Sequence, residues 1–249
     1  MRRILPVLIL LLFFTPVAAQ ASFATSKTWF ERLSQAERSD IQADLILLGH
    51  YRFLVDGQFG RATFDAIEAF QKSQGATASG ILGADELATL RRSADKTQLR
   101  LGMQPVIDET AQVSMIIPTN LLTQSTPTDH GTSYFNDDGE ISLETMYASL
   151  TDLSFRDLYD FMIAPDPERI VHDHSFGKDR FAVAGKIGDY AFYTMFLAVG
   201  DDAVGYSLAW GSSYSADGPI SAVWIASHFT PVKIQPPAEP VTVASAPQR

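Results

Sequence analysis

Apolar residues recur at helical spacing in the segment from residue 34 to residue 93. In SQAERSDIQADLILLG, Ile41, Leu45 and Leu48 share one face of a helix that a serine and a glutamate at capping-box spacing would begin. A second amphipathic helix is predicted over residues 61–73, and ADELATLRRS, with its acids first and its arginines last, predicts a third. The pattern therefore predicts a compact all-α domain of three helices over residues 30–93.

The pattern changes after residue 110, where short β-branched and aromatic runs alternate with turn signals. Such spacing is typical of an antiparallel meander. Strands are predicted at residues 113–118, 169–175, 180–187, 190–199 and 204–210, and helices at residues 153–163 and 218–229, the last of them amphipathic. The sequence thus predicts an α+β domain with an antiparallel sheet over residues 110–231.

Three further segments are not predicted to form packed elements. Residues 1–21, MRRILPVLILLLFFTPVAAQA, have the basic head, apolar run and small residues of a signal peptide, with cleavage expected after Ala19 or Ala21. A retained anchor is the alternative, but the apolar run is shorter than the roughly 20 residues that span a bilayer. Residues 94–109 are predicted to be a linker, and residues 232–249, with four prolines, a disordered tail. We therefore expect a periplasmic or secreted protein with no stable membrane anchor after cleavage.

The chain is acidic, with a formal net charge of −10. Loss of residues 1–19 removes two arginines and no acid, so the mature chain carries −12. Nucleic acids and anionic lipid surfaces are bound through clustered Lys and Arg, so this balance argues against both as partners. The absence of cysteine excludes a disulfide scaffold and a thiol nucleophile.

Two similar glycine turns precede the second and third predicted helices. GQFGRAT at residues 57–63 is echoed twenty-three positions later by GILGADE. Gly57 and Gly60 are expected to adopt backbone conformations closed to other residues, Phe59 to enter the core, and Asp56 and Thr63 to satisfy free amides at a helix start. These signature residues are therefore interpreted as structural.

The whole segment over about residues 33–92 resembles the peptidoglycan-binding-like domain family. The resemblance is carried, in the family's order and spacing, by Leu48-Gly49, Asp56-Gly57, Phe59-Gly60, Thr63, Phe70-Gln71, Gly75, Gly80 and Leu90. Ala76-Thr77-Ala78 departs from the family, which usually places a leucine before the Gly80 turn. The resemblance implies a three-helix fold and peptidoglycan, as glycan strand or stem peptide, for a partner.

Candidate ligand contacts are the polar and aromatic side chains beside the turns, namely Tyr51, Arg52, Gln58, Arg61 and Gln71. An arginine offers a planar fork to the carboxylates of a stem peptide, and a tyrosine offers a flat face to a sugar. Gln71 has a structural interpretation as well, because it could brace the adjacent loop. No cofactor is expected.

Domains of this family often accompany wall-cutting enzymes, and a catalytic site of that kind would lie in the C-terminal half. His172 and His174, two apart on a predicted strand, could supply two zinc ligands, but catalytic zinc normally has three protein ligands. Residues 175–178 formally match a Ser-x-x-Lys nucleophile motif, but they fall in a predicted hairpin turn. Glu140 and Glu144 are interpreted as surface charge. We predict no catalytic residue and no metal site.

The layout of the C-terminal half resembles small PsbP-like α+β domains of exported bacterial proteins, which implies a fold and no activity. One functional hypothesis is an exported, non-enzymatic peptidoglycan-binding protein that anchors a C-terminal interaction module, with another envelope protein as a possible partner. The alternative is a cell-wall hydrolase or peptidase whose site lies in the C-terminal half and uses His172 and His174. In a third, the helical unit has lost glycan affinity and recruits a protein, because a fold does not fix a function.

Overall fold

The computed structural model describes residues 22–232. The predicted signal peptide, residues 1–21, and the predicted tail from residue 233 onward lie outside the described residues. The helices are α1 (Phe23–Glu31), α2 (Gln35–Leu47), α3 (Arg61–Ser73), α4 (Ala84–Leu101), α5 (Phe155–Ile163) and α6 (Asp217–Ser227). The strands are β1 (Met103–Asp108), β2 (Val113–Pro118), β3 (Gln124–Pro127), β4 (Thr132–Phe135), β5 (Ile141–Ser149), β6 (Arg169–Phe176), β7 (Arg180–Ile187), β8 (Tyr190–Val199), β9 (Asp202–Trp210) and β10 (Thr230–Pro231).

The N-terminal part is a helical unit made of α1 to α4. The three predicted helices are confirmed as α2, α3 and α4, and α2 begins at the predicted capping box of Ser34 and Glu37. The sequence did not predict α1, because Phe30 is its only fully buried apolar side chain and its helical periodicity is correspondingly weak. None of the helices within residues 22–232 is long and apolar enough to cross a membrane.

Residues 94–109, predicted as a linker, are instead regular structure. The helix α4 continues to Leu101, Gly102 ends it in a left-handed conformation, and β1 follows at once. Its second half is mostly polar and exposed, but Ala94 and Leu101 are buried. Two buried residues seven apart on a polar helix are too few to produce a recognisable pattern, which explains the missed prediction.

The C-terminal part is α+β, as predicted, with two antiparallel sheets. A seven-stranded sheet has the order β3-β4-β5-β9-β8-β7-β6, and a small sheet has the order β1-β2-β10. The five predicted strands are β2, β6, β7, β8 and β9. The alternating strand β5, with Ile141 and Leu143 buried, was not predicted, although it pairs with β9 along its whole length.

The large sheet has two packed faces. Phe181, Val183 and Phe196 pack with Tyr159 of α5 on one face. On the other face, Met195, Tyr206 and Leu208 belong to a core shared with β2 and α6. The sheet therefore lies between α5 and the layer that contains α6.

The helix α6 joins the two parts of the molecule. It was predicted to be amphipathic, but the structure buries it on two sides. Trp224 belongs to the core of the helical unit, whereas Ile225 belongs to the core beneath the large sheet. A bidentate ion pair, with both N–O distances 2.8 Å, links Arg100 of α4 to Asp217 of α6. The helical unit is thus packed against the α+β part.

The contact between α2 and α4 contains a carboxyl group with a perturbed pKa. Burial, together with repulsion from Asp40 and Asp95, raises the pKa of Asp44 to about 6. Because this pKa lies above the ordinary value of 3.8, the charged form destabilises the folded state above about pH 6. As the pH falls below about 6, Asp44 becomes protonated in the folded state and this destabilisation is lost.

We therefore expect Asp44→Asn to raise the free energy of unfolding at neutral pH by about 1–2 kcal/mol, after allowance for the partial exposure of the group. The gain should shrink as the pH falls from about 6 towards 4, because the wild-type carboxyl is then protonated in the folded state. Urea unfolding over this pH range checks it, with the exposed Asp152→Asn as the control. If Asp44→Asn changed the free energy of unfolding equally at every pH, the raised pKa of Asp44 would be contradicted.

Candidate functional site

The first glycine turn is held by one buried glutamine. Gln42, on α2, accepts hydrogen bonds from the backbone N–H groups of Asp56 (3.0 Å) and Gly57 (2.7 Å) through Oε1. Its Nε2 lies 2.9 Å from the carbonyl oxygen of Gln58 and 3.2 Å from Oγ1 of Thr63. The side chain is completely buried, so it fixes the path of the chain into α3.

The second turn is held in the same way by Gln71 of α3. Its Oε1 accepts from the N–H groups of Ser79 and Gly80, both at 2.9 Å. Its Nε2 donates to the carbonyl oxygen of Ile81 (2.9 Å) and to the carboxylate of Glu86 (3.1 Å). The predicted bracing role of Gln71 is confirmed.

The two turns therefore repeat one device, in which a helix carries a glutamine that binds the turn leading to the next helix. The echo between the two glycine turns indicated this repetition, but Gln42 was not singled out from the sequence. Its signal was a polar residue adjacent to the apolar stripe of α2, next to Ile41. Polar side chains at such positions are buried only when they have partners, and the partners of Gln42 become evident only when the turn is folded.

The structure corrects the expectation for one of the glycines. Gly57 and Gly80 have φ values of +65° and +72°, which favour glycine. Gly60 is extended, with φ −118° and ψ −177°, and it precedes α3 as the N-cap residue. No atom lies within 4 Å of a Cβ built there. Any residue except proline can adopt this conformation, so Gly60 does not supply a special backbone shape.

The remaining signature residues have structural roles. Phe59 packs against Phe23 and Phe30, with ring centroids 5.3 and 5.2 Å away. The carboxylate of Asp56 accepts from the N–H of Gln58 at 2.8 Å, within the turn and before α3 begins. The hydroxyl of Thr63 donates a hydrogen bond to the carbonyl oxygen of Gln58 at 3.1 Å, although Thr63 had been expected to accept one from a free backbone amide.

The five predicted ligand contacts do not form one surface cluster. Tyr51 and Gln71 are only 6% and 1% exposed and hydrogen-bond within the protein, so their polar atoms have internal roles. Arg52, Gln58 and Arg61 are exposed. Arg61 forms an ion pair with Asp65 of the next helical turn at 3.0 Å, with 73% of the arginine side chain exposed. The exposed three are therefore the ones that remain available to a ligand.

The two histidines of β6 are separated by a β-bulge between Val171 and Asp173. His172 sits at this bulge, which interrupts the strand alternation that would place it on the same face as His174. Nδ1 of His174 is hydrogen-bonded at 2.6 Å to the hydroxyl of Tyr159 on α5. Within residues 22–232, no group of three His, Asp or Glu side chains is arranged to hold a metal ion.

We accordingly expect the purified mature protein to contain no stoichiometric zinc, because the bulge separates the two histidines and Tyr159 already binds one ring nitrogen. Elemental analysis after dialysis against trace zinc measures the ratio. One zinc per chain that is lost in a His172→Ala, His174→Ala variant would contradict this prediction and favour the hydrolase alternative.

The Ser-x-x-Lys motif and the two glutamates lie in a hairpin and at a strand. Ser175 lies within β6 and not at a helix start, and the N–H of Gly177 donates to the carbonyl oxygen of Arg180 at 2.8 Å, which closes the predicted hairpin. Glu144 is an exposed residue of β5, and Glu140 lies just before that strand. Ser175 and Gly177 thus belong to a hairpin, and Glu140 and Glu144 lie beside and within a strand.

Comparison with known proteins supports the N-terminal resemblance. Residues 34–90 match the family described as "Putative peptidoglycan binding domain", which is less than a quarter of the chain. No curated protein is significantly similar in sequence to this chain. Among solved structures, the chain is similar to the solution structure of cyanobacterial PsbP (CyanoP) from Synechocystis sp. PCC 6803, with 11% identity over 52% of this chain and 92% of that one and a TM-score of 0.41. A likeness this distant agrees with the layout named from the sequence and carries no argument about activity.

Proposed function

We propose, from the peptidoglycan-binding domain at residues 34–90, that this is an exported, non-enzymatic protein that binds peptidoglycan and presents its α+β part as an interaction module. The match to that domain family is the observation that carries the proposal. The exposed side chains of Arg52, Gln58 and Arg61 beside the turns supply hydrogen-bond donors for carboxylates and hydroxyls. Another envelope protein is the second partner that we propose, on the α+β part.

The non-enzymatic half of the proposal is supported by the surroundings of the catalytic candidates. Ser175 is a strand residue, and His174 is bonded to the hydroxyl of Tyr159. A Ser-x-x-Lys nucleophile needs the serine at a helix start beside a buried lysine, whereas this motif spans the end of β6 and a hairpin turn.

Co-sedimentation with purified sacculi tests both halves together. The mature protein is expected to pellet with sacculi and to release no soluble fragments, as judged by chromatography of the supernatant. Failure to pellet would refute peptidoglycan binding. Release of fragments at a rate that depends on protein concentration would replace the non-enzymatic proposal with the hydrolase alternative.

We also expect the mature chain to begin at Gln20 or Ser22, because the basic head, apolar run and small residues stand in the order of a signal peptide. Ser22 caps α1, with its hydroxyl oxygen accepting from the N–H of Thr25, so cleavage before it would leave the helix cap intact. Mass spectrometry of the protein from its native envelope gives the start. An intact species from Met1 to Arg249 as the major form would refute export with cleavage.

A further inference from the structure

A cleft lies where the helical unit meets the large sheet. One wall is the loop at residues 52–54, which follows α2, and the other is formed by β6, β7 and β8. Its volume is about 540 Å³. Clefts of this size at domain junctions are common places for small ligands. We call it the junction cleft.

Small side chains create the space in the junction cleft. Ser175 pairs with Ala182, and Asp173 pairs with Ala184, so these four residues of β6 and β7 lie on the sheet face that carries Tyr193 of β8. All of them line the cleft. Larger side chains at these positions would fill the volume, so the cleft follows from the residues that this part of the sheet carries.

The charges around the junction cleft come from both parts of the molecule. Arg52 belongs to the helical unit and Arg180 to β7, and neither forms an ion pair with a described residue. Asp173 and Asp179 supply negative charge on the sheet side. Burial raises the pKa of Tyr193 to about 12, so its hydroxyl stays protonated and able to donate at neutral pH. The lining thus offers two guanidinium groups and two carboxylates.

An exposed aromatic ring also borders the junction cleft. Phe53 is 61% exposed although it lines the cleft. Its loop is held in position, because the N–H of Val55 donates to the hydroxyl of Ser227 on α6 at 3.2 Å. Val223 of α6 lines the cleft as well. An exposed apolar ring beside a charged cleft suits a ligand that has both charged groups and an apolar part.

We propose that the junction cleft binds the stem peptide of peptidoglycan, with the ligand's carboxylates paired to Arg52 and Arg180 and its amine to Asp173. This inference rests on the proposed function, and it locates the peptide at the junction of the two parts. A glycan strand without peptide carries no such mixture of charges. Because α6 packs against both parts, the loop that carries Arg52 and the strand that carries Arg180 are held next to each other, which a flexible tether could not provide.

The test uses the mature full-length protein and a purified disaccharide-tetrapeptide muropeptide, with binding measured by isothermal titration calorimetry. Arg180→Ala and Arg52→Ala are each expected to weaken binding about 10-fold or more, as loss of a charge-assisted hydrogen bond does. The effect should decrease in high salt. Arg92→Ala, which removes an exposed arginine of α4 that does not line the cleft, is the control for charge and should bind as the wild type does.

Two comparisons make the result decisive. Glycan strands stripped of peptide should bind at least 10-fold more weakly than the muropeptide, and Arg180→Lys should recover part of the affinity lost in Arg180→Ala, with unchanged unfolding midpoints in all variants. Equal affinity for stripped glycan, or undiminished binding by both alanine variants, would overturn the inference. If either of these contrary results is obtained but the wild-type protein pellets with sacculi, the inference about the cleft fails and the proposed function stands. If the wild-type protein does not pellet with sacculi, the proposed function itself is refuted.

Discussion

Replacement of Trp224 by alanine is expected to lower the free energy of unfolding by about 3–5 kcal/mol, the usual cost of removing a buried tryptophan. Trp224 is 6% exposed and lies on α6, yet it belongs to the same buried core as Phe30 and Leu45 of the helical unit. Its indole N–H has no hydrogen-bond partner among the described residues, so the loss is one of packing. Because α6 serves both cores, the destabilisation should extend to the whole molecule.

Urea unfolding followed by circular dichroism and by tryptophan fluorescence measures the effect. The wild type is expected to unfold in one transition that coincides by both probes, and the variant in one transition at a lower midpoint. Phe161→Ala removes a ring that is 70% exposed and is the control, with a change below about 0.5 kcal/mol. Two separate transitions in the wild type would show that the helical unit folds independently of α6 and would contradict the shared core.

Gly80→Val is expected to cost about 3 kcal/mol or more, whereas Gly60→Val should cost at most about 1 kcal/mol. Gly80 has φ +72°, which a β-branched residue resists, and a Cβ there would lie 2.3 Å from the buried ring of Phe64. Gly60 is extended, and a Cβ there meets no atom within 4 Å. The remaining cost at Gly60 is that of a poor N-cap residue.

Thermal unfolding compares the same substitution at Gly80, the first glycine of the second turn, and at Gly60, the last glycine of the first turn. The Gly80 variant should lose most of its stability, and any folded fraction should bind sacculi less well. The Gly60 variant should keep both its stability and its sacculus binding. Equal destabilisation of the two would indicate that Gly60 also requires a glycine backbone. In that case the extended conformation assigned to Gly60 would be incorrect.

Much of the fold could be predicted from local patterns. Helices α2 to α4 follow from apolar residues at helical spacing and from caps, which depend on side chains within one turn of each other. Strands β6 to β9 follow one another closely with clear turn signals, so their order in the sheet follows their order in the chain. The segment from β3 to β5 was missed, although Ile141 and Leu143 alternate with polar residues. The short strands β3 and β4 contain no buried residue that would produce a pattern, and β5 pairs with β9, a strand distant in sequence.

The candidate site was only partly predictable. The sequence named Arg52, but it named Tyr51 and Gln71 with equal weight, and the structure buries those two. A polar side chain next to a glycine turn can face the solvent or satisfy the turn's backbone groups, and the sequence does not distinguish the two outcomes. Gln42 shows the converse, because its importance depends on a turn that begins well beyond its own helix.

The sequence by itself determined helices α2 to α4, the α+β character of the second part and the acidic charge, because these depend on residue types and on neighbours within a few positions. Tertiary structure alone decided that α6 completes the core of the helical unit, that the predicted linker is helix and strand, and that Arg52 and Arg180 face one cleft. The physical reason is that burial and cleft formation depend on which distant surfaces meet. A helix that is apolar on two sides, such as α6, does not specify which cores it will join.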